Sequence, residues 1–140
     1  MSVDIKGTLD TFCDLAKQYV NNALDDSISA EVTKIVATAK ELCPVGTGEI
    51  QKAHVDKYGF HSGLMRDSIF GWVNKEKHMG WVKVPTTGMK DPYYGGMVHF
   101  GTVKMTARPF LYQAQERHMN DFPAEFQQAL KKEVPEDRQG

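Results

Sequence analysis

No apolar run in this chain approaches the ~20 residues that a membrane-spanning helix requires. Charge of one sign is also lacking. Seventeen Lys and Arg against 18 Asp and Glu leave a formal net charge of -1, so the global basic field of a dedicated nucleic-acid binder is missing and any DNA contact must be local. The start, Met1 to Lys6, mixes acid and base without the apolar core of a signal peptide. Cysteine is scarce. Cys13 and Cys43 both fall on apolar stripes of helical period and read as buried free thiols suited to a reducing cytoplasm, in preference to a disulfide. Neither an internal repeat nor a low-complexity tract is present.

What the chain does have is globular. Its 140 residues are 41% hydrophobic and 25% charged, enough to bury one core of ordinary size. The pattern predicts a single α+β domain over residues 1–134 and a frayed tail at 135–140.

The first forty-odd residues predict helix. Leu9, Phe12, Cys13, Ala16, Tyr19, Val20 and Ala23 recur at three- and four-residue steps. Ile28, Val32, Ile35, Val36, Ala39 and Leu42 repeat the period on a face rotated by roughly a third of a turn. Asp25-Asp26-Ser27 lies at the phase change. The region is therefore expected in two pieces, with a kink or break near Asp26, or else as one long helix whose halves meet different neighbours.

The middle predicts antiparallel sheet of three to five strands. Asp67 to Val73 and Gly80 to Pro85 are rich in strand formers, with Asn74 to Met79 turning the chain between them. Tyr93 to Phe100 reads as a third strand, weakened by Gly95-Gly96. Helical spacing returns from Phe110 to Val134, with a kink or a second helix start at Pro123, and this C-terminal helix is expected to pack on the sheet.

Phe100 to Leu111 is the most informative connector. Gly101 suits a positive φ where the preceding element must stop. Pro109 fixes its own φ, biases Arg108 towards an extended shape and suits a helix's first turn. Lys104 and Arg108 ride on this built arm, which is therefore the place to look for a partner contact.

Catalytic readings each meet a plainer rival. None of the five histidines forms a helical pair or a zinc-type spacing with cysteine. His54 and His61 share one loop, which leaves a metal site as the lesser alternative, and no metal or cofactor is assigned. A Cys43 nucleophile with His99 as base needs a tuned, accessible thiol, yet Cys43 sits on an apolar stripe. Pro44-Val45-Gly46-Thr47-Gly48 follows a helix and lacks the lysine of a phosphate-binding loop. Thr47 and Ser68 read as turn or cap residues. The aromatics Trp72, Trp81, Tyr93, Tyr94 and Phe100 have the chemistry to stack on nucleobases, but are assigned to the core of a half-buried sheet because basic companions are sparse.

Four segments, in order, resemble one family's signature. They are Pro44-Val45-Gly46-Thr47-Gly48, Gly63-Leu64-Met65-Arg66-Asp67-Ser68-Ile69, Tyr93-Tyr94 with Val98-His99-Phe100-Gly101-Thr102, and Ala107-Arg108-Pro109-Phe110-Leu111. The family comprises small tailed-bacteriophage morphogenesis proteins, described as tail-completion, tail-to-head joining, neck or minor tail proteins. The likeness spans about residues 30 to 130. Two departures stand out: residues 49–62 intervene where the family runs directly from Thr-Gly into Leu-Arg, and His99 replaces an acidic residue before Phe-Gly-Thr.

The resemblance implies a non-enzymatic virion protein, a subunit of a ring, often a hexamer, at the head-proximal end of the tail. Its partners would be its own copies, connector or adaptor proteins, and tail-tube or terminator proteins, with assembly in the host cytoplasm and no membrane. Genomic DNA would pass through the channel without sequence-specific binding. The candidate interface is Thr102, Lys104, Met105, Arg108 and Phe110, with His54 and His61 of the 49–62 loop. Arg108 has an intrachain alternative, binding helix-end carbonyls. A tail terminator or other minor tail component is the nearest rival function, followed by a small His/Cys or metal-dependent hydrolase and a DNA-binding module.

Overall fold

The computed structural model describes residues 5–45, 63–85 and 95–135. Its spine is one uninterrupted helix, α1 (Ile5–Leu42), about 57 Å long at ~1.5 Å per residue. A short helix α2 (Leu64–Ser68) leads into a hairpin of β1 (Phe70–Asn74) and β2 (Met79–Lys83). Then follow α3 (Gly95–Phe100), α4 (Phe110–His118) and α5 (Phe122–Glu133). The class is α+β, with an antiparallel two-stranded sheet among the described residues.

The two apolar stripes of α1 are resolved without a break at Asp26. On an ideal helix, Ala23, Ser27 and Ala30 share one face, where Ser27 and Ala30 line a groove with Glu125, Gln128 and Ala129 of α5, while Ile28, Val32 and Val36 lie on the face that carries the hairpin. The phase change therefore marks a change of neighbour along one rod. Asp25 is held from the sheet side, where His78 Nδ1 lies 2.8 Å from its Oδ1. That bond ties the hairpin turn to the spine. The Asn74 carboxamide, accepting the Lys77 N–H at 3.1 Å, closes the same turn.

Among the described residues the expected third strand is not formed. Tyr93 and Tyr94 lie outside the described residues, and Gly95 to Phe100 is helical. The helix puts Gly95 and His99, four residues apart, on one buried face, whereas an alternating strand would also have turned Met97 inward. Asp67 and Ser68, expected in the first strand, belong to α2, where the Ser68 hydroxyl donates to the Leu64 carbonyl at 2.6 Å. At the C-terminal end the helical stretch divides at its proline, and both halves pack chiefly on α1, not on the sheet as expected, because α1 fills the place of the partner layer. Pro123 occupies the first turn of α5, the position that needs no N–H donor.

The main core lies where α1, α2 and α4 meet, formed by Ala39, Cys43, Met65, Ile69, Phe110 and Ala114. Val82, Val84, Val98 and Leu111 pack around it. The α1–α5 seam is more polar: Lys34 pairs with Glu125, and the Asn22 amide donates to Glu133 at 3.3 Å. None of the described helices is long and apolar enough to cross a membrane.

The hairpin approaches the spine through two glycines. The strand register pairs Gly71 with Val82 and Val73 with Gly80, so these four share the face towards α1. A Cβ on Gly80 would lie 2.5 Å from Val32 Cγ2 and 3.0 Å from Ile28 Cγ2, and one on Gly71 would collide with Val32 Cγ1. Gly80→Ala is expected to cost about 1–3 kcal/mol through overpacking. In a Val32→Ala background the same change should cost much less, a coupling measurable by urea denaturation of the four chains of the cycle.

Candidate functional site

The arm between α3 and α4 is the most constructed surface feature among the described residues. Gly101 ends α3 with φ 79°, and its N–H reaches back to the Met97 carbonyl at 2.8 Å, a left-handed helix cap. A side chain is excluded here, since a Cβ would sit 2.8 Å from the Ala107 amide nitrogen and 3.0 Å from the Met105 carbonyl oxygen. The outgoing and returning legs of the arm are that close.

Thr102 and Met105 then exchange backbone hydrogen bonds of 2.9 and 3.2 Å, with Val103 and Lys104 at the tip. The Thr102 hydroxyl oxygen accepts the Lys104 N–H at 3.3 Å. The return leg is stapled by the Arg108 N–H, which donates to the Val98 carbonyl at 2.8 Å. Pro109, at φ -78° and ψ 63°, makes an inverse γ-turn closed by the Phe110 N–H on the Arg108 carbonyl, 2.8 Å. The Pro109 carbonyl then accepts from Gln113 and starts α4.

The arm thus has two fixed feet and a projecting tip. Residues 102–108 are all exposed, with Val103 fully so. Lys104 and Arg108 are its charges, both positive, and no acid lies between them. The Arg108 side chain makes no hydrogen bond among the described residues, so the helix-end reading for it has no support there. Phe110 departs from the expected interface set. It is 1% exposed and serves as the peg that anchors the arm in the core. His54, His61 and Thr47 lie outside the described residues.

Beside the arm is an aromatic apron that sequence reasoning missed. Phe100 is 69% exposed and stands edge-on to His99, with ring centroids 4.6 Å apart; Tyr112, also exposed, meets the same imidazole at 4.4 Å. The expectation that Trp72, Trp81 and Phe100 build the core is overturned, since all three are exposed. For the tryptophans the glycines explain why: the inward strand positions have no room for a ring. For Phe100 the cause is helical phase, which sends His99 in and its neighbour out.

The residues with catalytic potential sit in environments that bear on that potential. Burial is the main cause that pushes the Cys43 thiol up to about 11; Arg66 opposes it and Asp67 adds to it. Arg66 is a cation that the local sequence around Cys43 does not reveal. At neutral pH this thiol stays protonated, the reverse of an activated nucleophile. Cys13, expected to be buried, is exposed because nothing among the described residues covers that part of α1. His99 is buried with Nδ1 lacking a hydrogen-bond partner, and desolvation lowers its pKa.

Thr38, His118 and Asp121 form a hydroxyl–imidazole–carboxylate chain, with Oγ1–Nε2 2.7 Å and Nδ1–Oδ2 3.1 Å. With the carboxylate holding the Nδ1 proton, Nε2 accepts from the Thr38 hydroxyl. These are the atoms of an acyl-transfer triad, but Thr38 lies inside α1. Neighbouring amides there are engaged in the helix ladder and offer no oxyanion donors. The chain of bonds clamps the α4–α5 corner to the spine. Among the described residues no His/Cys/Asp/Glu group is arranged to hold a metal ion.

Two measurements check these environments. At pH 8 a disulfide exchange reagent should titrate Cys13 rapidly and Cys43 only after denaturant is added. His99, whose folded pKa lies below its ordinary 6.5, binds its proton more readily in the unfolded chain. Stability should therefore hold above about pH 6.5 and fall as the pH drops below it. His99→Phe should flatten that fall when urea midpoints at pH 7.5 and pH 5 are compared. No family model, no curated protein and no solved structure matches this chain.

Proposed function

We propose that this chain is a non-enzymatic assembly protein of a tailed-bacteriophage virion, a ring subunit at the tail-completion or head–tail joining position. The observation that carries the reading is the stapled cationic arm. Positive φ at Gly101, reciprocal bonds at its neck and a buried Phe110 peg are costly local devices. Together they project Lys104, Met105 and Arg108 with no intrachain role for their side chains among the described residues. Such pre-organisation lowers the ordering cost of a protein contact. The four ordered sequence segments support the same assignment.

A ring forms when one face of a subunit meets a different face of its neighbour and the rotation closes. The arm supplies one such face, with cations flanked by Met105 and the exposed rings of Phe100 and Tyr112, a composition common at protein contacts. A net charge of -1 keeps subunits from repelling one another and lets DNA pass without being clamped. The protonated Cys43 and the helix-bound Thr38 both weaken the hydrolase alternative. A tail terminator or other minor tail component would use the arm in the same way, and the protein's location in the particle distinguishes these roles.

Electron microscopy of a lysate lacking this protein tests the reading. Full heads and detached tails should accumulate separately, and intact infectious particles would refute it. The double variant Lys104→Glu/Arg108→Glu should keep its urea stability within about 0.5 kcal/mol, as exposed substitutions do. Complementation of the defective lysate by that variant should fall roughly tenfold or more, since interface contacts that matter are worth about 1 kcal/mol or above each.

A further inference from the structure

Two bare apolar surfaces lie on different elements of this chain. The first is the outer face of the hairpin. Cross-strand partners Trp72 and Trp81 stack with ring centroids 5.0 Å apart, and Phe70 and Met79 flank them. Trp72 is 60% exposed, and the Lys83 ammonium lies over the Phe70 ring at 5.9 Å. The inner face lies against Ile28, Val32 and Val36 of α1 through its glycines, so this sheet has one side on the spine and one open aromatic side. The second surface is the overhang of α1. Residues 6–22 contain no buried side chain, yet Leu9, Phe12, Cys13, Ala16, Tyr19 and Val20 form one stripe. On an ideal helix the stripe continues the line of Ala23, Ser27 and Ala30. It is the face that lines a groove with α5 lower down, left bare beyond the Asn22–Glu133 bond near the end of α5.

We propose that the overhang of one copy lies across the Trp72–Trp81 face of a second copy of this chain. The inference rests on the ring-subunit reading in taking its own kind as the occupant; the fit between the two faces stands on geometry. A helix stripe and an open sheet face are the two halves of an ordinary α/β layer contact. The overhang runs ~25 Å and the strands ~17 Å, so the helix spans the whole aromatic face. Its own hairpin is out of reach: it sits further along the rod, at Ile28 to Val36, on a different side.

Area and charge agree. The exposed parts of the large side chains offer roughly 400 Å² on each surface. With the polar share usual at interfaces, that corresponds to a total of about 1,300 Å², inside the range of stable complexes. The overhang's charges, Lys6, Asp10, Asp14 and Lys17, cancel. They lie on one flank of the stripe, where the two aspartates are available to Lys83. Because the two faces differ, the contact is head-to-tail and propagates until it closes.

Trp72 and Trp81 are the only tryptophans, so intrinsic fluorescence reports this face directly. The full chain is diluted serially from its highest soluble concentration, with emission, acrylamide quenching and sedimentation followed together. Growth in mass should coincide with a blue shift and loss of quenching. Phe12→Asp and Trp72→Ser each replace an exposed residue, and circular dichroism checks that the fold persists. Each should weaken association about tenfold or more. Mixed one to one, they should form heterodimers and stop, because each variant retains the face that the other lacks.

Assembly that survives in both variants with the tryptophans accessible would overturn the contact and leave the ring reading intact. Loss in Phe12→Asp alone would show helix pairing with helix and also overturn it. A wild-type chain that stays monomeric with accessible tryptophans at every concentration refutes the contact, while the lysate experiment decides the ring reading separately.

Discussion

The structure depends on the absence of two side chains. Gly71 and Gly80 let the hairpin backbone settle directly on Val32 of the spine, closer than any layer with Cβ atoms at those positions permits. Two strands alone are marginal in water, so this contact, with the Asp25–His78 bond, keeps the hairpin in place. It also decides the character of the opposite side. With glycine and valine turned inward, the same alternation sends Phe70, Trp72, Trp81 and Met79 outward. A tight inner fit and an apolar outer face are thus two results of one pattern.

The core and the arm share a similar economy. Phe110 is at once the largest fully buried side chain among the described residues and the residue that follows the γ-turn at Pro109. The arm's return leg is therefore fixed by the same packing that joins α4 to α1. Its outgoing leg is fixed by the Gly101 cap on α3. With both feet anchored and its neck closed by the Thr102–Met105 bonds, the tip is held in one orientation relative to the core.

Much of this was legible in the sequence, and the failures have physical causes. The stripes of α1 were readable by period, and their phase change correctly signalled two sets of neighbours. What the pattern left open was continuity; Asp26 and Ser27 are good caps, but without Gly or Pro nothing compelled a break. The positive φ at Gly101 and the helix start at Pro123 followed from backbone chemistry alone; Pro109, expected in a helix's first turn, instead stands just before α4 in an inverse γ-turn. The third strand did not survive, because Val98 and Phe100 favour strand only weakly in six residues, and tertiary burial of Gly95 and His99 selected helix. The aromatics were misplaced by trusting residue type over position. Phe-Gly-Trp-Val and Met-Gly-Trp-Val each put glycine and valine on one side and large rings or methionine on the other, a signal present in the sequence. The cation beside Cys43 was invisible locally, since Arg66 lies 23 positions away in the chain.

The continuity of α1 past Asn22 has one more consequence. Starting a helix in water is the unfavourable step, and adding further turns to an existing one costs little. Here the buried half supplies that start, so the exposed amino-terminal turns grow from a template already in place. A partner that meets them encounters a formed surface and need not supply the free energy of winding it. Encounter would then be limited by diffusion and orientation, with no coupled folding step to slow it.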